Sequence, residues 1–320
     1  YVALSYCWGG DQKHKTTRQH MPTRTIASSE LPKTIQDAVH VAWELGQKYL
    51  WVDSMCLIQD DEEDKAREMA QMPQIYNSAV VTILAASAER ASDGFLHPRP
   101  EPQVFQFSMQ VGNEKAEVYG LEADDFGFPT PLDRRGWCLQ ERVLSNRILV
   151  FDRRHIRFKC TCARAPGRVH TDGWTSQAEG RSDFDSLIIS KKESLRDIWN
   201  PIVEDYSQRQ FTIASDRVVA ISGVAARLAS QVNDMYLAGH WSSSLPHDLL
   251  WQRKWDGATC RLFDGPTWSW TVAAGTVKLF KESTDTHSQE RIAVFCDAKI
   301  ELQHEAAPYG AVKQAILTVK

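Results

Sequence analysis

Tyr49-Leu50-Trp51-Val52-Asp53 is the stretch on which the fold turns. It is a short apolar run between Gly46 and the polar Asp60-Asp61-Glu62-Glu63-Asp64, so it reads as a buried strand between two helices. Upstream, Pro32-Lys33-Thr34 opens a helix. Thr34 is the expected cap, with Asp37 close to a capping box. Ile35, Ala38, Val39, Ala42 and Leu45 give its apolar face, and Gly46 ends it. Further upstream, Val2-Ala3-Leu4-Ser5-Tyr6 is a second buried strand that stops before Gly9-Gly10. Downstream, the acidic run suits the first turn of a helix. Met69, Met72, Ile75, Tyr76 and Ala79 form that helix's stripe, Pro73 is expected to kink it, and Val80 to Ala85 is a third strand. The order β-α-β-α-β favours a parallel sheet with helices on its faces.

Residues 88–132 interrupt this order and read as an insertion or hairpin, with Val104-Phe105-Gln106-Phe107 alternating. Trp137 to Ser145 resumes as a helix and Arg147 to Phe151 as a strand. Residues 163–185 read as a polar loop. Leu187 to Ser207 and Asp216 to Val232 read as helices, and Val294 to Gln303 and Ala311 to Val319 as closing strands. Trp241, Trp251, Trp255, Trp268 and Trp270 concentrate in the last third. The expected architecture is α/β. A flavodoxin-type parallel sheet flanked by helices spans 1–160, and a Trp-rich α+β region spans 161–320, packed on it and not independent.

The 320 residues carry 37 Lys+Arg against 41 Asp+Glu, a net charge of −4, which gives no electrostatic case for nucleic acid. No apolar run reaches the roughly 18 residues of a membrane span. The chain lacks an initiator Met and opens on a strand, so its true N-terminus is expected to lie elsewhere. The seven Cys are odd in number and irregular in spacing, and Cys160 and Cys162 form CxC with no second pair. Reduced thiols and a cytoplasmic location are expected, with no metal site. Neither GxGxxG nor GxxxxGK[ST] is present, so a Rossmann dinucleotide fingerprint and a P-loop are unsupported.

Three blocks carry chemistry: Leu4-Ser5-Tyr6-Cys7-Trp8-Gly9, Leu50 to Asp61, and Arg135-Gly136-Trp137-Cys138-Leu139-Gln140-Glu141-Arg142. The carboxyl ends of parallel strands line a ligand crevice, so Ser5, Tyr6, Asp53 and Gln59 are expected to converge with Glu141. The plain alternative is that Asp53 and Ser54 turn the chain and Glu141 is an ordinary helical carboxylate. Arg134, Arg135 and Arg142 flank Glu141 as anion holders or as solvated surface arginines. Cys7, Cys56 and Cys138 fit thiol chemistry or plain packing. His240 in Gly239-His240-Trp241 is a candidate acid or base, or a buried His bonded to backbone.

The blocks together resemble the fungal heterokaryon-incompatibility (HET) domain, which carries LSYxWG, WVDxxCIxQDD and RxWxxQE in this order. Leu31 to Ala38 and Ile75 to Ala79 also fit, and the resemblance covers about residues 1–151. Tyr206-Ser207-Gln208-Arg209, Asp216-Arg217 and Pro266 to Trp270 are similar to family members too. A more distant resemblance is to TIR domains, through Leu4-Ser5-Tyr6, Asp53 and Trp137-Cys138-Leu139-Gln140-Glu141. The resemblance implies a TIR-like sheet, non-self recognition and programmed cell death, and cleavage of the nicotinamide–ribose bond of NAD. NAD would be substrate, with no resident cofactor. Glu141 would be catalytic, Trp8 or Trp137 would stack on the base, and Ser5, Asp53 or Arg135 would fix the substrate. Two other classes stay open. One is an assembly module working through a protein partner. The other is a metabolic enzyme acting on a small aromatic or polyketide-like molecule through His240 or Glu141.

Overall fold

The structure is a computed structural model that describes residues 1–20, 25–99, 104–112, 114–121, 129–161, 194–254, 261–280, 293–305 and 307–320. Its first part runs β1 (Val2–Ser5), α1 (Lys33–Glu44), β2 (Leu50–Trp51), a single turn α2 (Asp53–Cys56), α3 (Glu62–Ser78) and β3 (Val81–Leu84). The hairpin β4 (Val104–Val111) and β5 (Glu114–Leu121) follows, then α4 (Gly136–Leu144), β6 (Arg147–Phe151) and β7 (Ile156–Cys160). The sheet order is β2-β1-β3-β6-β7. The first four strands are parallel and β7 returns antiparallel to β6. This is the flavodoxin-type order with its last strand reversed, and the fold is α/β as the element order predicts.

The central strands β1 and β3 are buried on both faces, which is why they read as continuous apolar runs. Val2, Leu4 and Tyr6, with Val81, Ile83 and Ala85, meet Ile35, Ala38, Val41 and Ala42 of α1. On the opposite face Ala3 packs with Met72, Tyr76 and Ala79, and Cys7 and Leu84 pack with Leu132 and Cys138. The α1 face is rotated from the expected one. Val41 is buried, while Val39 and Leu45 are exposed. Thr34 and Asp37 do not cap α1 either, since Pro32 occupies that position without a side-chain bond. They hold the loop beyond β3 instead. Thr34 Oγ1 donates to the Arg90 carbonyl and accepts from the Gly94 amide, and Asp37 Oδ2 accepts from the Phe95 and Leu96 amides. The acidic start of α3 behaves as read: Asp61 Oδ1 accepts from the amides of Glu63 and Asp64. The strand expected over 49–53 is only two residues long, because Asp53 already opens α2.

The second part contributes α5 (Leu195–Ser207) and α6 (Asp216–Ala229), then short strand pairs that end in the hairpin Phe295–Leu302 with Val312–Val319. The expected loop over 163–185, the first residues of the helix read from Leu187, and Trp255 lie outside the described residues. Ser194 and Asp197 close α5 with a reciprocal capping box. Trp199, Tyr206, Trp241 and Trp270 form a core with Ile221, Val224 and Leu228 of α6 and with Leu139, Val143 and Leu144 of α4. The Gly239 carbonyl accepts two of these indole N–H groups, from Trp199 at 2.9 Å and Trp270 at 2.7 Å. Gly239 has φ 102°, and a Cβ there would meet Trp270 Nε1 at 2.8 Å, so only glycine fits. The buried Arg217 lies 5.7 Å from the Trp270 ring centre and donates to the Ser207 carbonyl at the end of α5. No helix among the described residues is long and apolar enough to cross a membrane.

Candidate active site

Alternation along β1 decides which residues meet. Ser5 and Cys7 share the face covered by α3 and α4, whereas Tyr6 turns toward α1 and α2. β1 and β2 pair with Val2 opposite Leu50 and Ala3 opposite Trp51. Extending that register by two residues sets Ser5 level with Asp53 at the carboxyl edge of the sheet.

α2 is a polar knot. Asp53 Oδ1 accepts from the Ser54 amide at 2.6 Å, and Oδ2 accepts from Trp8 Nε1 at 2.8 Å. The Tyr6 hydroxyl donates to Ser54 Oγ at 2.9 Å. Gln59 donates to the carbonyls of Asp53 and Leu57, so its amide holds this turn. Burial raises the Asp53 carboxyl above the ordinary range, although the Trp8 bond, Arg135, the Ser54 amide and Tyr6 all favour its charged form.

Arg135 stands immediately before α4 and donates to the Tyr6 carbonyl at 3.0 Å. Burial works against its charge, but the Glu141 and Asp53 carboxyls around it favour the protonated guanidinium, which is held above its ordinary range. Glu141, one turn into α4, is 6% exposed. Its carboxyl is pushed up to about 7, first by burial and then by the Asp53 charge, against the Ser5 hydroxyl, Arg135 and Tyr76. The Ser5 hydroxyl stabilises the charged form of Glu141 without making a full hydrogen bond. The site is therefore the buried Glu141 carboxyl and the half-buried Asp53 carboxyl, with the Arg135 guanidinium acting on both and the Ser5 and Tyr76 hydroxyls facing Glu141. Cys7 and Cys138 are buried beside Arg135, and burial pushes both thiols up, which keeps them protonated.

Ser5, Tyr6, Trp8, Asp53, Gln59, Arg135 and Glu141 are thus brought to one edge. Trp137 points elsewhere. Its indole donates to Asp216 Oδ2 of α6 at 3.1 Å, and its ring packs between the α3 and α6 clusters. His240 also lies apart, fully buried with its ring centre 6.0 Å from that of Trp268. Burial pushes it down to about 4, so it is neutral near pH 7, and it is absent from the groups acting on Glu141 or Asp53. Tyr76 and Ser54 belong to the site and were not singled out in the sequence. By sequence Tyr76 is an apolar stripe position of α3 within the Ile75 to Ala79 block. Its hydroxyl donates to the Leu4 carbonyl at 3.3 Å and faces Glu141.

Fold and site define an α/β protein with two carboxyl groups and an arginine gathered at the carboxyl edge of a parallel sheet. Residues 1–141 match the sequence profile of the Heterokaryon incompatibility protein (HET) family, and the match ends on Glu141. It is similar to the heterokaryon incompatibility protein 6, OR allele, of Neurospora crassa. The two are 32% identical over 138 residues, which cover 39% of this chain and 20% of that protein. The chain therefore spans about a fifth of the length of this relative. No solved structure matches.

Proposed function

We propose that this chain serves fungal non-self recognition leading to cell death, and that its site cleaves the nicotinamide–ribose bond of NAD. The HET-family match over residues 1–141 supports the first part. The observation that carries the second is the enclosed Glu141 carboxyl beside Ser5, Arg135 and Asp53 at the sheet edge. When the C1′–N bond breaks, the electron pair leaves with nicotinamide and positive charge grows on the ribose. An ionised Glu141 stabilises that charge and binds ribose hydroxyls; water then adds to C1′ and releases a proton. Arg135 favours the ionised form of Glu141 against burial and offers donors to the anionic part of the substrate. Trp8, fixed by Asp53, offers an indole face to a base.

Purified protein mixed with NAD is expected to release nicotinamide. Glu141→Gln keeps the shape, removes the charge and should lower the rate by at least about two orders of magnitude. A wild-type protein that releases no nicotinamide in any assembled state overturns the enzymatic reading.

A separate observation favours assembly through protein contacts. Phe105, Phe107 and Met109 share one face of the β4–β5 hairpin and are 46%, 53% and 50% exposed.

A further inference from the structure

The turn that delivers Arg135 is held from outside the family-matched segment. Gln210, in the strap between α5 and α6, donates its amide to the Arg134 carbonyl at 2.6 Å and accepts from the Gly136 amide at 3.0 Å. Arg135 and Gln210 form an isolated parallel bridge. Arg209 Nη1 donates to the Arg135 carbonyl at 3.2 Å. Its own guanidinium is fixed by Asp205, with Nε and Nη2 each 2.8 Å from Oδ2, and the residue is 9% exposed. Phe211 completes the clamp. A Cβ on Gly136 would lie 1.8 Å from the Phe211 ring, so ring and backbone meet only because residue 136 is glycine. Arg135 is thus pinned by its backbone on the strap side, while its side chain crosses to the Tyr6 carbonyl.

We propose that Arg209 is a positioning residue for Arg135. By holding the Arg135 carbonyl it sets the direction in which the guanidinium reaches the Asp53–Glu141 pair. A buried arginine bonded to a single neighbouring carboxylate would not need the third contact, and that contact falls on a residue whose guanidinium acts electrostatically on both site carboxyls. Only the importance of Arg135 for NAD rests on the function proposed above; its placement by Arg209 does not.

The test reads the site without substrate. Glu141 is titrated by carboxyl carbon NMR in the full chain, its signal assigned by loss in Glu141→Gln. The groups that set its midpoint are Ser5, Asp53, Arg135, Tyr76 and the neighbouring Cys138. Arg209→Lys keeps the charge facing Asp205 and Asp133 but cannot reach Asp205 and the Arg135 carbonyl with one planar fork. Its Glu141 midpoint is expected to rise by about half a pH unit or more as Arg135 swings away. Trp199→Phe loses the Gly239 bond in the C-terminal core and serves as a control for general instability; its midpoint should stay put. In parallel, nicotinamide release in Arg209→Lys should fall about tenfold or more. An unmoved Glu141 midpoint in folded Arg209→Lys overturns the proposal. A moved midpoint in a protein that never releases nicotinamide keeps the positioning role and rejects the NAD reading. Arg209→Ala should show the larger midpoint rise; if it does not fold, Arg209→Lys decides alone.

Discussion

Trp8 Nε1 and Asp53 Oδ2 are 2.8 Å apart, so the residue that leaves β1 is tied to the residue that leaves β2. The bond lies beyond the ends of two parallel neighbours, and it fixes the indole and the carboxyl against each other. Trp8→Phe keeps most of the apolar ring and removes the donor. A hydrogen bond to a charged acceptor is worth about 1.5–3 kcal/mol, and partial exposure of Trp8 reduces that. The expected loss is about 1 kcal/mol in urea unfolding at pH 7. An unchanged unfolding midpoint would mean that the bond is replaced by water without cost.

Glu141 makes the fold sensitive to pH in an identifiable window. Its carboxyl titrates at about 7 in the folded chain, against 4.5 ordinarily. Between those values the folded state keeps a proton that the unfolded state releases, so this contribution to stability is full below about pH 4.5 and is lost as pH rises toward 7 and beyond. At about 1.4 kcal/mol per pH unit the loss approaches ~3 kcal/mol. Glu141→Gln cannot lose a proton. Unfolding free energies of wild type and variant should therefore diverge between pH 5 and pH 8, the variant gaining on the wild type. Parallel curves would show that Glu141 titrates at its ordinary value.

His240 should act in the opposite direction. Burial holds it at about 4, below its ordinary 6.5, so the unfolded chain takes up a proton first as pH falls. Stability from the neutral ring is full above about pH 6.5 and is lost on acidification toward 4; by pH 5 the loss is roughly 2 kcal/mol. His240→Leu removes the titrating ring and should flatten that part of the acid limb, whatever fixed offset the substitution adds. If the acid limbs of the two proteins coincide, His240 is not held neutral.

The parts of the fold that rest on burial were readable, and those that rest on long-range partners were not. β1, β3 and β6 are buried on both faces, so they stand in the sequence as short apolar runs bounded by turns. Ser5, Asp53 and Arg135 could be placed at one edge because each follows or precedes such an element. Thr34 and Asp37 show the limit. Their spacing satisfies a local capping rule, yet the amides of residues 94–96 compete for the same oxygens and win. Val39 and Val41 are two residues apart on a helix, and only the position of the sheet decides which one is buried. Trp137 shares a helical face with Glu141 by spacing, but α4 lies between two cores and its indole is claimed by Asp216. Nothing near residue 137 announces a partner 79 positions away.

The position of α4 also decides whether the sheet region can stand alone. One side of α4 carries Cys138 and Glu141 toward the sheet; the other carries Leu139, Val143 and Leu144 into the tryptophan core with α5 and α6. Gln140 is buried as well, and its Oε1 accepts from the Gly223 amide of α6 at 3.2 Å. Cutting the chain after residue 160 would expose those three apolar side chains and leave the Gln140 amide without that donor. Burial of a leucine or valine side chain is worth about 1.5–3 kcal/mol, so the uncovered face alone removes about 5 kcal/mol or more. A domain's whole stability is about 5–15 kcal/mol. The fragment 1–160 is therefore expected to aggregate, or to stay soluble only without cooperative unfolding, whereas the full chain melts as one unit. Thermal unfolding followed by near-ultraviolet circular dichroism, with sedimentation to detect aggregates, separates the outcomes. A monomeric 1–160 fragment with a sharp transition would show that α4 needs no cover from α6 and that the two regions are separate domains.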